Sequence, residues 1–490
     1  MRQPALLLLL LTACLLAGQA LASEYDPHPA ERATSFFEGW MTRLVMPAGQ
    51  HESAPGGAAA SDGGSSGGSG AAEAPTPPAS ITLIIGGIPN APPSWNRTLL
   101  TMTVQSSSPA DPAPRSYTLR NLQLQVDAGS GGGPPTAAPS FATPPNFTVT
   151  SADGSLLWLM NGKDCELRAR FEDASLHARC DGPPMPWSSD GYGPEGTAAL
   201  LPLAVTGIHH FVFSLATPMR YKLRLGGGPA LRGRALAHFE KDRGISFPSS
   251  WHWAQGINAS WSEQGQAAGG SASGVAGSAG GPCSTDADLE VGGDGAAAAA
   301  APSCRPVASV NGVFTLAGGP PPTPLPVPEG WLPDVWLLGV RTRKRSWDFR
   351  PYDSVFTSQA SPCKSELLVT ATQPLARRAV EVQLRARPET FSTIDCPTTS
   401  GFKPFSVESF TAYASVRLYE LHLGWHERSW VERRLVEAFE VQDAGLEFGG
   451  AARCSEDELQ AAAAAQKAEG AAGVLELGGE GEGEPALAYA

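Results

Sequence analysis

The sequence predicts an all-β protein made of two antiparallel barrel or sandwich units that are joined and interrupted by long insertions. Three observations support this prediction. Short runs of alternating polar and apolar residues recur along the chain, turn-forming residues separate them, and no long helical stripe appears between the insertions. The runs form two groups, at about residues 30–260 and 307–452, so each group is expected to form one unit.

Individual strands are predicted from the two-residue period of a half-buried sheet. Residues 80–85 are a β-branched run that ends at two glycines, and residues 117–126 alternate as one continuous strand. Further strand or hairpin segments are predicted at 155–160, 165–171, 175–180, 251–257, 332–341, 366–371, 379–385 and 414–420.

Several stretches contain too few apolar residues to build a core. These are 49–79, 127–145, 262–306, 318–329 and the acidic, Ala- and Gly-rich tail 455–490. Burial there cannot offset the entropy of ordering, so we predict disordered insertions and a disordered tail, with a frayed helix at 456–468. The predicted divisions are a signal peptide at 1–22, an N-terminal domain at 23–261, a low-complexity insertion at 262–306, and a C-terminal domain at 307–454.

The 490-residue chain is acidic, with 35 Lys and Arg against 48 Asp and Glu, a formal net charge of −13 and a pI near 5.2. Such a chain is repelled by nucleic acids and by anionic lipid surfaces. No basic stripe interleaved with aromatic residues is present in the sequence. We therefore expect no nucleic-acid partner.

The N-terminus has the pattern of a secretory signal. Arg2 precedes an apolar run at residues 5–16, which is too short to span a bilayer, and Ala20-Leu21-Ala22 forms a cleavage site. The alternatives are an uncleaved anchor and a lipoprotein acylated at Cys14. No later segment is apolar enough to span a membrane, and three sequons, at Asn96, Asn146 and Asn258, are expected to carry glycans.

Seven cysteines remain after the signal peptide, and an oxidising compartment favours their pairing. Proximity along the chain predicts the bridges Cys165–Cys180, Cys283–Cys304 and Cys363–Cys396, with Cys454 unpaired. No CxxC spacing occurs, and His209 and His210 would point to opposite faces of a strand, so no metal site is predicted.

Several blocks of the sequence resemble the tocopherol cyclase-like family. Residues 35–40, Ser-Phe-Phe-Glu-Gly-Trp, followed by Arg43, resemble that family's opening Phe-Phe-Glu-Gly-Trp signature. Residues 239–255 resemble its Glu-Lys-Asn-Trp-Gly, Phe-Pro and Trp-x-Trp-x-Gln run. Further similar blocks follow in the family's order at 347–351, 382–387, 419–420 and 444–450.

The resemblance implies two lipocalin-like β-barrel domains, as in the related carotenoid 1,2-hydratase-like proteins. It also implies cyclisation of a prenylated hydroquinone to a chromanol, which is an addition of a phenol across an alkene without metal or redox cofactor. This reaction requires an apolar pocket, a proton donor that faces the alkene, and aromatic rings that stabilise a carbocation by about 2 kcal/mol or more when desolvated. A carboxylic acid donates at neutral pH only when burial raises its pKa.

By these criteria, Glu240 and Asp242 are the main candidate catalytic acids, and Glu38 beside Trp40 is a third. Each acid also has a structural interpretation. Glu240 and Asp242 would then cap a turn, and Glu38 would accept hydrogen bonds in a barrel-closing turn.

Aromatic residues close to these acids are the candidate ligand-binding residues. Trp251, Trp253 and Gln255 share one face of a strand because they are spaced by two, and that face is expected to line a barrel interior. The alternative is that the tryptophans belong to the core. Trp40 and Trp347 complete the predicted ligand-binding set, and Arg385 and Arg387 are expected either to pair with the acids or to face solvent.

The chain departs from the family at two places near the candidates. Trp40-Met41-Thr42 replaces Trp-Tyr-Phe, and Asp242-Arg243 replaces Asn-Trp, which removes an aromatic ring and adds a charge. Known cyclases act in plastids, whereas the export signal predicts the secretory pathway, with an extracellular or vacuolar destination and the plastid as the alternative.

Three functions are compatible with the sequence. The first is a tocopherol cyclase-like enzyme, and the second is a secreted carrier that binds a hydrophobic, isoprenoid-like small molecule without transforming it. The third is a structural or surface protein with a vestigial barrel. No cofactor is predicted, and the sequence does not predict an oligomeric state.

Overall fold

The computed structural model describes residues 27, 35–46, 78–108, 110–128, 145–162, 164–187, 193–262, 307–322, 333–422 and 432–465. Within these residues the fold is nearly all β, with two curled antiparallel sheets of 11 and 10 strands. The predicted fold class of two antiparallel β units is therefore confirmed. Much of the predicted insertions, and the predicted bridge Cys283–Cys304, lie outside the described residues.

The first sheet has the order β4-β3-β2-β1-β11-β10-β9-β8-β7-β6-β5. Its strands are β1 (Phe37–Val45), β2 (Ser80–Gly87), β3 (Thr98–Gln105), β4 (Arg115–Arg120), β5 (Leu124–Ala128), β6 (Asn146–Ser151), β7 (Leu156–Asn161), β8 (Asp164–Arg170), β9 (Ala174–Cys180), β10 (Ile208–Leu225) and β11 (Leu231–Gly244).

The second sheet has the order β15-β14-β13-β12-β21-β20-β18-β17-β16, and β19 pairs with β20. Its strands are β12 (Ser250–Ser262), β13 (Val307–Gly319), β14 (Val335–Thr342), β15 (Ser346–Phe349), β16 (Val355–Ser361), β17 (Glu366–Gln373), β18 (Arg378–Arg385), β19 (Ser392–Thr398), β20 (Gly401–His422) and β21 (Glu432–Gly450). The sheets therefore divide between β11 and β12, whereas the predicted domain boundary lies at residue 261.

Helical structure in the described residues is limited to short segments. These are α1 (Leu203–Thr206), the 3₁₀ turns Gly196–Leu200, Pro362–Lys364 and Pro388–Thr390, and a helix at 456–465 that lies within the predicted 456–468. No described helix has the length and apolar character needed to cross a membrane.

Alternating burial explains both the strands and the first core. On β8, Cys165, Leu167 and Ala169 are buried in that core, and the residues between them point away from it. The space beside Trp40 and Trp158 in this core is about 20 Å³, which holds no more than about one water molecule. The first core is therefore closely packed with side chains beside these two tryptophans.

The prediction of a single strand at 117–126 is wrong. The chain turns at Asn121, which has a φ of 58°, so β4 ends at Arg120 and β5 begins at Leu124. Asparagine tolerates this left-handed conformation better than most residues. The alternation of polar and apolar residues continues across the turn, so the pattern did not reveal it.

Two disulfides are present among the described residues, and one of them differs from the prediction. Cys165–Cys180 is confirmed and joins β8 to β9. The predicted Cys363–Cys396 bridge is wrong, because Cys363 pairs with Cys454 across a Cα–Cα distance of 5.3 Å, and Cys396 is a free, buried thiol. Sequence proximity favoured Cys396 as the partner of Cys363. The Cys396 side chain instead belongs to a cluster that includes Met41 and Ile84 of the first sheet.

Candidate functional site

The two sheets contact each other through faces that point away from their own cores. On β1, Trp40 and Leu44 belong to the first core, whereas Met41 packs with Trp251 and Trp253 of the second sheet. Successive side chains of a strand point to opposite faces, so β1 serves both regions. The face of Trp251 and Trp253 therefore lies between the sheets, and the prediction that it lines a barrel interior is wrong.

Two glycines of β21 make room for these indole rings. A Cβ on Gly449 would come within 1.9 Å of the Trp251 ring, and one on Gly445 within 2.6 Å of the Trp253 ring. Because β12 pairs with β21, the tryptophans and the glycines meet across the strands. Residues 239–255 and 444–450, two of the blocks that resemble the tocopherol cyclase-like family, thus meet through paired strands.

Arg43 links the sheets at this contact. It is fully buried on β1, and its Nη1 donates to both the backbone oxygen and the side-chain oxygen of Gln255. Its Nη2 donates to the backbone oxygens of Phe410 at 3.1 Å and Asp443 at 2.6 Å. Burial lowers the pKa of Arg43 to about 10, which leaves it charged at neutral pH. Gln255 therefore holds Arg43 and is not among the residues that line the cavity described next.

A cavity of about 530 Å³ lies between the sheets. Most of its wall is apolar and includes Phe37, Met41, Ile84, Phe247, Trp251, Trp253, Ile394 and Phe402. Ligand pockets of about 300–1,000 Å³ bury most of the surface of a small organic molecule. Both sheets supply wall residues, so the cavity requires the two sheets to be packed together.

Seven acidic residues also line this cavity: Glu38, Glu195, Glu240, Asp242, Asp395, Glu408 and Glu447. The predicted acids are thus brought together in one place. Their different partners give them different chemical properties.

Glu240 lies on β11 and is an acceptor of hydrogen bonds. Its Oε2 accepts from His238 Nε2 at 2.9 Å and from Trp253 Nε1 at 2.9 Å. Burial by itself raises the pKa of Glu240, but the hydrogen bond from His238, the charge of His210 and the Trp253 bond together hold it below the usual value. Glu240 is therefore ionised at neutral pH.

Asp242 lies on the same face and pairs with His210 of β10, whose Nδ1 donates to Oδ1 at 2.9 Å. Burial opposes the charged imidazolium, but Asp242, Glu240 and Glu195 outweigh it and raise the pKa of His210 to about 9. Both acids lie within β11, so they do not cap a turn. His210, Glu240 and Asp242 offer ligand atoms within 4.8 Å of one another, as a small cation would require, although each already has a protein partner.

Glu408 and Glu447 were not among the predicted site residues. They occupy directly opposed positions on β20 and β21. Glu447 Oε1 accepts from Trp251 Nε1 at 3.0 Å, whereas Glu408 Oε1 has no hydrogen-bond partner among the described residues. Burial, and secondarily Glu447, raises the pKa of Glu408 well above its usual value, which favours the protonated form of Glu408. Burial raises the pKa of Glu447 to about 7.

The sequence contained little sign of Glu408. Ser406 and Glu408 are the polar positions of an alternating strand, and such positions usually face solvent. Here the first sheet covers that face, and Glu408 is 1% exposed. Glu447 lies within the resembling block 444–450, which was the one available signal for it.

Glu38 has a different environment from the other acids. Its Oε1 forms a buried ion pair with Lys241 Nζ at 2.7 Å, and the same ammonium lies 5.5 Å from the Trp40 ring centroid. Trp40 also packs edge-on against Trp158 in the first core. Glu38 and Trp40 line the cavity, but their strongest contacts are structural.

Trp347 is not among the residues that line the cavity. It lies on β15, where the guanidinium groups of Arg345 and Arg378 are 5.8 and 5.6 Å from its ring centroid. Arg385 is largely exposed and pairs with Glu366, so it faces solvent rather than the candidate acids.

Arg387 also pairs away from the candidate acids, since it is half-buried and lies 3.6 Å from Glu389. Arg243, which stands where the tocopherol cyclase-like family has Trp, also lies away from the cavity. Its guanidinium lies 5.9 Å from the Phe211 ring centroid, and Arg243 is not a lining residue. This departure therefore removes no ring from the cavity wall.

Comparisons with known proteins identify no family for this chain. No protein-family model matches the sequence, and no curated protein matches it. One similar solved structure is a Nitrosomonas europaea protein provisionally named AttH. The two sequences are 11% identical, the match covers 89% of this chain and 98% of that chain, and the TM-score is 0.39. Similarity at this level carries no argument about function.

Proposed function

We propose that the protein binds an isoprenoid-like molecule in the cavity between the sheets and protonates one of its double bonds, as in a tocopherol cyclase-like cyclisation. The observation that carries this proposal is Glu408, a buried carboxylic acid on the wall of a mostly apolar cavity. Its raised pKa favours the protonated form, which is the form that can donate a proton to an alkene.

The proposed reaction balances without a cofactor. The Glu408 proton is transferred to an alkene carbon of a prenylated hydroquinone, and the resulting tertiary cation lies against the rings of Trp251 and Trp253. The phenol oxygen then forms a C–O bond as its O–H bond breaks, and the ionised Glu240 or the Glu408 carboxylate accepts that proton. Cation–π attraction contributes about 2 kcal/mol or more in such a desolvated setting.

Incubation of the purified protein with a prenylated hydroquinone tests this proposal. We expect chromanol product with the native protein, and a decrease in kcat of about 100-fold or more for Glu408→Gln, because the amide cannot replace the acidic proton. Binding of the hydroquinone, measured by quenching of tryptophan fluorescence, should change little.

Glu389→Gln is the matched control, because Glu389 is an exposed acid in the 3₁₀ turn that precedes β19. If the native protein makes no chromanol, or if Glu408→Gln retains full turnover, the proposed chemistry is wrong. A decrease caused equally by Glu389→Gln would indicate a general effect on the protein.

The second candidate function is a carrier that binds the same class of molecule without transforming it. The apolar character of the wall favours it, since Phe37, Phe247 and Phe402 provide contact surface whether or not an acid reacts. Tight binding of a prenylated hydroquinone by the native protein, without chromanol formation, would support the carrier over the enzyme.

We also propose that the protein follows the secretory pathway. The N-terminal signal pattern and the two disulfides of the described residues support this location. N-terminal sequencing of the mature protein should begin at Ser23, and glycans should be found at the predicted sequons. A mature protein recovered from plastids would contradict the proposal.

A further inference from the structure

Glu240, Glu408 and Glu447 lie close together in the cavity, beside Trp253. On the second sheet, Trp253 of β12 is paired with Glu447 of β21, which is paired in turn with Glu408 of β20. Directly paired residues place their side chains on the same face of a sheet, and here the first sheet covers that face. Glu240 reaches the same place from β11, because its Oε2 accepts a hydrogen bond from Trp253 Nε1 at 2.9 Å. We call Glu240, Glu408 and Glu447 the acid cluster.

The hydrogen-bond donors to the acid cluster are neutral groups. Glu240 accepts from His238 and from one indole, and Glu447 accepts from another indole and from the Ser406 hydroxyl. Burial lowers the pKa of His238, so its imidazole adds no charge at neutral pH. Glu408 is 1% exposed, and its Oε1 has no hydrogen-bond partner in the part of the chain that the structure describes. The cluster therefore contains a buried acceptor without a donor.

The charged groups that act on the acid cluster have other partners. Arg43, whose charge acts on Glu408, donates to Gln255 and to backbone oxygens, and it does not line the cavity. His210 lines the cavity and pairs with Asp242. The described residues that line the cavity include no lysine and no arginine. A positive charge for the cluster would therefore have to come from a ligand.

Burial makes the anionic forms of these acids unfavourable. It raises the pKa of Glu447 to about 7 and that of Glu408 well above its usual value, and neighbouring acids add to both effects. A positive charge beside a carboxyl group has the opposite effect, since it stabilises the anion. A cation bound at the acid cluster would therefore compensate for the burial of these acids.

The spacing of the acid cluster suits an organic cation better than a metal ion. His210, Glu240 and Asp242 have ligand atoms within 4.8 Å of one another, whereas Glu408 and Glu447 belong to no such set among the described residues. The cavity of about 530 Å³ has a mostly apolar wall, which can hold the hydrocarbon part of a ligand. Its indole and phenyl rings attract a positively charged group that lies over their faces.

We infer that the cavity binds an organic ammonium ion with an apolar body, which donates an N–H group to Glu408 and lies against the rings of Trp251 and Trp253. The inference rests on the cavity of the proposed function, but it requires no cyclisation. It names a positively charged class of ligand, whereas a prenylated hydroquinone is neutral. An anionic ligand would be repelled by the ionised Glu240, and a neutral one would supply no charge to the acid cluster.

The probes are 4-phenylbutylamine and 4-phenylbutan-1-ol, used with the full-length protein. They share one body and differ in the head group, which near neutral pH is charged in the amine alone. We expect the amine to bind about tenfold or more tightly than the alcohol, measured by titration calorimetry, and to quench tryptophan fluorescence. Equal affinity, or tighter binding of the alcohol, would overturn the inference.

Glu408→Gln and Glu447→Gln test the acids themselves. Each should decrease the affinity for the amine by about tenfold, because glutamine has nearly the same size but cannot become an anion. The affinity for the alcohol should stay nearly the same, which also shows that the cavity is intact. Glu389→Gln, at an exposed position of the 3₁₀ turn before β19, is the control and should change neither affinity. Unchanged amine binding in both cavity variants, or equal losses of amine and alcohol in both, would contradict the inference.

The two proposals for this cavity can fail separately. Selective binding of the amine without chromanol formation would support the ammonium ligand and reject the cyclisation. Chromanol formation without any preference for the amine would do the reverse. If both proposals are correct, 4-phenylbutylamine should inhibit chromanol formation competitively with respect to the prenylated hydroquinone.

Discussion

Glu408 and Glu447 lie opposite each other on two paired strands, but their hydrogen bonding differs. Trp251 donates a hydrogen bond to Glu447, whereas one oxygen of Glu408 has no partner among the described residues. A buried carboxyl group that receives no hydrogen bonds is poorly stabilised as the anion, so its protonated form is favoured. Division of roles between two close acids is a common basis for acid catalysis.

The proton on Glu447 makes stability depend on pH. Burial raises its pKa from 4.5 to about 7, so between these values the folded state holds a proton that the unfolded state has lost. The free energy of unfolding should therefore fall as pH rises from about 4.5 to about 7, by about 3 kcal/mol at most from this residue. Urea unfolding at a series of pH values measures this decrease.

Glu447→Gln should reduce that pH dependence, because glutamine does not titrate and its side-chain oxygen still accepts from Trp251. Glu432→Gln, at an exposed position of the same strand, is the control and should leave the pH dependence unchanged. A native protein whose stability rises across this pH range would contradict the assignment.

Pairing of β12 with β21 determines where the tryptophan rings lie. Gly449 and Gly445 lie beneath the two indole rings, and a side chain at either position would displace a ring into the cavity. The spacing of the tryptophans along β12 was visible in the sequence, but the strand opposite them was not.

Gly449→Ala should therefore destabilise the protein by about 1–3 kcal/mol, because its Cβ would lie 1.9 Å from the Trp251 ring. Gly87→Ala is the matched control, since a Cβ at that strand position has no atom within 4 Å. Thermal unfolding of both variants provides the measurement. Equal stability of the two would show that the ring is not packed against β21.

The Cys363–Cys454 disulfide ties the segment after β21 to the hairpin of β16 and β17. Cys454 and Leu459 belong to the second core, so the bridge also holds the start of the helix at 456–465. Cys454→Ser should lower the free energy of unfolding by about 2–5 kcal/mol under oxidising conditions.

Cys396→Ser, which removes the free thiol, should leave the disulfides unchanged. Non-reducing peptide mapping of the native protein should find Cys363 linked to Cys454. A Cys363–Cys396 peptide would contradict the structure and restore the pairing predicted from sequence proximity.

At the scale of the whole molecule, polar groups fasten one sheet to the other. Arg43 reaches three strands of the second sheet, and Gln105 of β3 donates to the backbone oxygen of Thr390 at 2.8 Å and accepts from the Phe410 amide at 2.7 Å. Because the cavity is built from both sheets, these links support the site without being part of its chemistry.

Arg43→Met should destabilise the protein by about 3–5 kcal/mol, since the backbone oxygens of Gln255, Phe410 and Asp443 lose a buried charged donor. It should also weaken binding of a hydrophobic probe in the cavity, whereas Arg97→Met, at an exposed position, should change neither property. Chemical denaturation and probe fluorescence measure both effects. A stable Arg43→Met protein with an intact site would show that the sheets pack without this link.

The sequence by itself determined the β class, the Cys165–Cys180 bridge, the acid–tryptophan neighbourhood of Glu240 and the two groups of strands except for β12, because each depends on local alternation or proximity. Only the tertiary structure decided that the cavity lies between the sheets, that Cys363 pairs with Cys454, and that Glu408 is buried. Local alternation marks two faces of a strand but does not tell which face another sheet will cover. That choice depends on contacts between residues far apart in the chain.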